Sequence, residues 1–149
     1  RLSEIGAEAL IEALAMIEAE DVVAIEQDDA RATYAARLTR ADAHIAWIRD
    51  ADEVARRMRA MDAVPGAWTL HHGAELKLFR PLVADDGHAD SAPPGTVVAV
   101  APNDPARGML VACGSGAVYV REVKPAGKRR MTTSEWLRGR GAAVGDRLG

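Results

Sequence analysis

Met109-Leu110-Val111-Ala112-Cys113-Gly114-Ser115-Gly116-Ala117-Val118-Tyr119-Val120-Arg121-Glu122-Val123 is the stretch that decides the fold. Two runs dominated by Val, Leu and Ala flank a Gly-Ser-Gly tripeptide, the pattern of two strands joined by a hairpin turn. A phosphate loop would need a helix after the glycines, so that its N–H groups and dipole meet the anion, and here a strand follows. Working outward, residues 68–70, 76–83 and 96–100 repeat the pattern of short extended runs. Turn formers stand between them: His71-His72-Gly73, Asp85-Asp86-Gly87, Pro93-Pro94-Gly95 and Asn103-Asp104-Pro105. Five short strands at this spacing predict a mainly β fold, a small five- to six-stranded antiparallel barrel of the OB type, with one or two short flanking helices. The Asp/Gly/Ser/Pro stretch of residues 84–95 is expected to be a disordered loop.

Upstream, the period changes. Leu2, Ile5, Ala9, Leu10, Ala13, Leu14 and Ile17 recur at three- and four-residue steps, predicting an amphipathic helix from Leu2 to about Ala19 with Ser3 as N-cap. An uncovered apolar stripe of that width is an interaction site, which makes self-association through the 2–19 helix an expectation. Residues 20–38 read as an extended linker, so the expected division is 1–38 linker helix and linker, and 39–149 barrel domain. Thr39 with Asp42 resembles a capping box for one short turn. Asp50 with Glu53 starts a firmer helix to about Met61, with Val54, Met58 and Met61 as its buried stripe, stopped by Pro65-Gly66.

Charge is distributed unevenly along the 149 residues. The net charge is −3, yet residues 1–30 hold nine Asp or Glu and one Arg, while residues 121–149 hold eight Lys or Arg and three acids. Fields act over about one Debye length, roughly 8 Å at physiological salt, so a basic end can hold a polyanion while an acidic end stands apart. Lys128-Arg129-Arg130 precede a short capped helix, Thr132-Thr133-Ser134-Glu135-Trp136-Leu137, that ends at Arg138 and Arg140. A cluster of this kind grips a phosphate backbone without reading bases. The single cysteine, Cys113, excludes an internal disulfide framework, and the absence of a long apolar run or a signal pattern leads to an expectation of a cytoplasmic chain without a membrane partner.

The same order of elements resembles the linker and C-terminal domain of the methionyl-tRNA formyltransferase family. Leu2-Ser3-Glu4-Ile5-Gly6-Ala7 is similar to the helix leaving that family's catalytic domain. The run from Gln27 to Ala35 followed by Arg37-Leu38-Thr39 resembles its linker. His44-Ile45-Ala46-Trp47 resembles its Ile-Asp-Trp signature, with Ala46 in place of Asp. Pro65-Gly66-Ala67, Pro94-Gly95-Thr96-Val97, Ala112-Cys113-Gly114-Ser115-Gly116 and the closing Val144-Gly145-Asp146-Arg147-Leu148 resemble the family's turns and end. The resemblance implies a parent enzyme that passes a formyl group from 10-formyltetrahydrofolate to the methionyl amine of initiator methionyl-tRNA, in an N-terminal Rossmann-like domain. It implies tRNA contact by Arg37, Arg40, Lys128, Arg129, Arg130, Arg138 and Arg140. No catalytic residue is expected in this chain, no cofactor is expected to bind it, and alone it should be inactive. The alternative is a packing or assembly domain of a related formyltransferase or formyltetrahydrofolate hydrolase, without RNA.

Other candidate groups read as structural. His71 and His72 are expected in a hairpin turn, and because adjacent strand residues point to opposite faces the pair does not easily hold one ion; His44 and His88 lack ligands at useful spacing, so no metal site is expected. Asp28-Asp29 and Asp85-Asp86 read as solvated turn residues, Cys113 as a small buried hydrophobe, and Trp47, Trp68 and Trp136 as packing residues.

Overall fold

The structure, a computed structural model, describes residues 1–84 and 92–149; Asp85, Asp86 and His88 lie outside the described residues. The chain divides into two units, Arg1–Ala36 and Arg37–Gly149. In the first, α1 spans Leu2–Glu18 with no buried residue. Its N-cap is Arg1, so Ser3 sits inside the helix: the backbone is already helical at Leu2, one residue before the expected cap. A 3₁₀ turn, Asp29–Arg31, follows, capped by the Asp28 carboxylate on the Ala30 N–H.

In the second unit the expected capping box forms. Thr39 N–H donates to Asp42 Oδ2 at 2.8 Å and opens a 3₁₀ turn at Ala41–Ala43. The α2 helix, Ala51–Ala60, begins where the Asp50 carboxylate accepts from Glu53 N–H at 2.7 Å. Its buried stripe includes Val54 and Met58, with Ala51 and Ala55 admitting close approach, and Met61 is buried just past its end. That face lies across the sheet, mainly on β2.

Six antiparallel strands follow: β1 Trp68–His71, β2 Ala74–Val83, β3 Val97–Ala101, β4 Gly108–Ala112, β5 Ala117–Pro125 and β6 Met131–Thr132. Their order is β1-β2-β5-β4-β3, with β6 also paired to β5. The deciding stretch forms the β4–β5 hairpin, in register Met109↔Val120 to Ala112↔Ala117. Gly114 is required in its turn because a Cβ there would meet the Ile48 carbonyl oxygen at 1.9 Å. Leu78, Val97, Val111, Val118, Val120 and Val123 are fully buried with Ile45 and Met58 in one core. α3, Thr133–Arg138, capped by Thr132 on Glu135 N–H, closes one side with Trp136 and Leu137 buried.

The sheet differs from the expected closed barrel. Among the described residues its edge strands β1 and β3 do not pair with each other. The C-terminal tail lies between them, because Val97 N–H donates to Asp146 O and Leu148 N–H to Gly95 O on one side, while Gly149 N–H donates to Leu70 O on the other. Gly95 (φ +85°) permits this, since a Cβ there would sit 2.5 Å from the Leu148 carbonyl oxygen.

Candidate nucleic-acid interface

The basic segment is a turn between β5 and β6 followed by α3. Lys128 N–H closes the turn on Pro125 O at 3.0 Å, and Gly127 supplies the left-handed backbone (φ +71°) that the reversal requires. The register Glu122↔Thr132 then fixes where the turn stands on the sheet. Lys128, Arg129, Arg138 and Arg140 are all exposed.

Their local partners separate them. Lys128 and Arg140 flank a cleft of about 280 Å³ lined also by His71, His72, Trp136 and Gly139. Arg129 pairs with the carboxylate of Glu135 and Arg138 donates to Pro102 O at 3.1 Å, both through exposed side chains that solvent screens. Arg130 is different. Its Nε donates to Glu122 Oε2 at 2.6 Å, its two terminal nitrogens reach Asp62 at 2.7 and 3.2 Å, and its guanidinium stacks 3.9 Å from the centre of the buried Phe79 ring. The hydrogen bonds that it donates to Asp62, then to Glu122, hold its pKa above the ordinary arginine value.

Arg40 lies over the Trp68 ring at 4.2 Å, pairs with Glu75, and takes the Trp68 indole N–H on its carbonyl at 2.8 Å. Arg37 is exposed at the start of the second unit. The structure thus gathers Lys128 and Arg140 on one cleft and neutralises Arg130 and Arg40 with carboxylates. Sequence reasoning could not see those carboxylates: Asp62 is 68 positions from Arg130, and Glu75 is 35 from Arg40.

Five side chains read as structural behave in two ways. Trp47 and Trp136 are buried, and Trp47 donates to Thr69 Oγ1 at 3.1 Å. Cys113 is buried, and desolvation followed by the charge of Asp50 pushes its thiol up to about 12, which removes the thiolate needed for nucleophilic work. The histidine pair corrects the expectation of opposite faces. β1 ends at His71, and His72 (φ +49°) and Gly73 (φ +78°) form a two-residue turn with both residues left-handed. Strand alternation therefore stops at His71, and the two rings stand 4.0 Å apart, centre to centre. Both face Asp146, whose carboxyl is held below its ordinary value by the hydrogen bond with His71, then by that from the Ala143 N–H.

Comparison with known proteins gives three kinds of likeness. The family model for formyl transferase, C-terminal domain, matches residues 37–141. The methionyl-tRNA formyltransferase of Thiobacillus denitrificans is 44% identical over 148 residues, 99% of this chain and 46% of that protein. That of Symbiobacterium thermophilum is 41% identical over 147 residues, 99% of this chain and 44% of its own length. The chain thus spans a little under half the length of these curated relatives. Among solved structures, HypX from Aquifex aeolicus in complex with tetrahydrofolic acid aligns with TM-score 0.64 at 21% identity, over 87% of this chain and 22% of that one. At that identity the likeness speaks for the fold alone.

Proposed function

Because the chain belongs to the formyl transferase C-terminal domain family, we propose that it is the RNA-holding portion of a methionyl-tRNA formyltransferase. In this reading a Rossmann-like N-terminal domain of the whole cytoplasmic enzyme passes the formyl group from 10-formyltetrahydrofolate to the methionyl amine of initiator tRNA. The 1–38 segment links that domain to the OB-like unit at 39–149, which holds the RNA. What carries the reading is the exposed group Lys128, Arg129, Arg138 and Arg140 around one turn and one short helix, cations free of buried partners. Such groups meet phosphates, fix register and orientation, and leave identity of the RNA to other contacts. Arg37 is a further exposed candidate; Arg40, like Arg129, can exchange its one carboxylate for phosphate, whereas Arg130, held by both Asp62 and Glu122, contributes field more than contact.

In this reading the folate donor belongs to the N-terminal domain, and no transfer step is assigned to this chain. The apolar stripe of α1, with Leu2, Ile5, Leu10, Leu14 and Ile17 all more than half exposed, is a second contact surface through which the chain self-associates. Light scattering should show that association disappear when residues 1–20 are deleted.

The test of RNA holding is fluorescence anisotropy of labelled initiator and elongator tRNA with the chain and with a Lys128→Ala/Arg140→Ala variant. Both RNAs should weaken by the same factor, since backbone contacts carry no sequence information. Unchanged affinity for both would transfer support to a packing domain that touches no RNA.

A further inference from the structure

The β1–β2 turn and the C-terminal tail bring together three groups that the RNA reading leaves unused. His71 Nε2 lies 2.9 Å and His72 Nε2 3.5 Å from the same oxygen, Asp146 Oδ2. The three ligand atoms all lie within 4.8 Å of one another. A tetrahedral centre with bonds of about 2.0–2.1 Å places neighbouring ligand atoms roughly 3.3 Å apart, and the two observed spacings bracket that value. Two imidazoles and one carboxylate suit zinc and its transition-metal neighbours, whereas magnesium and calcium prefer oxygen ligands alone.

The surroundings are those of a supported site with one open side. His71 is 8% exposed, its ring set edge-on to Trp136 at 5.3 Å. The Ala143 N–H holds the Asp146 carboxylate at 3.0 Å, orienting it toward both rings. His72 is exposed, so a fourth position is open to water, as in metal sites with three protein ligands. Asp146 and the residues after it form the tail that lies between the sheet edges, with a bridge between His71 and Leu148 beside the cluster.

We propose that His71, His72 and Asp146 bind one divalent cation of the zinc class, and that the bound ion fastens the C-terminal tail to the β1–β2 turn. The ligands come from the β1–β2 turn and the C-terminal tail, 74 and 75 positions apart, and a ligand that binds only the folded arrangement stabilises it in proportion to its occupancy.

The experiment is titration of the metal-free chain with Zn²⁺ in a non-chelating buffer, by calorimetry and thermal unfolding, with Mg²⁺ as the hard-cation control. One equivalent of Zn²⁺ should bind and raise Tm by several degrees, and Mg²⁺ should not. His72→Asn removes an exposed imidazole while keeping a residue that tolerates the left-handed turn backbone; it should leave the metal-free Tm nearly unchanged while weakening Zn²⁺ binding at least about tenfold and abolishing the Tm rise. Asp146→Asn should do the same to binding, and should that variant fail to fold, His72→Asn alone decides. The proposal is overturned if Zn²⁺ gives no heat and no Tm rise, if Mg²⁺ acts equally, or if His72→Asn responds as the unaltered chain does.

Discussion

Replacing Arg130 by Ala should destabilise the second unit far more than replacing Arg129, its sequence neighbour. Arg130 is one-third exposed and holds Glu122 and Asp62, which are 21% and 32% exposed. At that degree of exposure each pair contributes about 0.5–1 kcal/mol after screening. The guanidinium over Phe79 adds about 0.5–1 kcal/mol, and its stem covers part of that ring. Removal also leaves two carboxylates without the cation they share. The expected total is about 2 kcal/mol, which for a unit of this size lowers Tm by roughly 8 °C. Arg129→Ala, losing one exposed pair with Glu135, should cost less than about 1 kcal/mol. Urea unfolding followed by tryptophan fluorescence measures both, since Trp47 and Trp136 are buried. Equal losses for the two variants, or a loss below about 0.5 kcal/mol for Arg130→Ala, would refute the assignment of Arg130 as a structural cation.

Three further outcomes follow from the same structure. Asp50→Ala removes the N-cap of α2 and should lower stability by about 1 kcal/mol, read by urea unfolding, while Asp50→Asn should restore most of it. Cys113, with its thiol near pH 12, should resist alkylation at pH 8 in the folded chain and react at once in denaturant; fast labelling of native protein would contradict its burial. The Asp42 carboxyl is held low, chiefly by the Thr39 hydroxyl, so its contribution is present above the unfolded carboxyl range and is lost as pH falls through its lowered value. Between pH 5 and pH 2, Asp42→Asn should therefore lose less stability than the unaltered chain.

What was legible in the sequence was whatever depends on neighbours in the chain. The Gly114-Ser115-Gly116 hairpin, the Asp50 cap and the Thr39–Asp42 box each involve residues within four positions, and each formed as read. The strand β6 is two residues long and carries no period of its own; only its pairing with β5 makes it a strand. The tail from residue 144 onward shows no alternation, because it buries only Leu148 and is otherwise held by backbone bonds to Gly95, Val97 and Leu70. Within the candidate site the cations were visible and their partners were not. Lys128 and Arg130 look alike in a basic run, and only the fold puts Asp62 and Glu122 against one of them. The His71-His72-Gly73 turn is legible too; what strand alternation hides is that His72 adopts the left-handed region, which histidine enters more readily than most residues, so that both rings face one carboxylate.

The central claim, that the exposed cations around the β5–β6 turn and α3 hold RNA by its phosphates, is tested most directly by the salt dependence of tRNA binding. Log affinity against log salt should be linear, each engaged cation contributing about 0.7–0.9 to its slope. Replacing Lys128, Arg129, Arg138 and Arg140 together by Ala should flatten that slope by roughly 3 units if all four engage, in initiator and elongator tRNA alike. A slope unchanged by the fourfold replacement, in a variant that still unfolds cooperatively, would contradict the account.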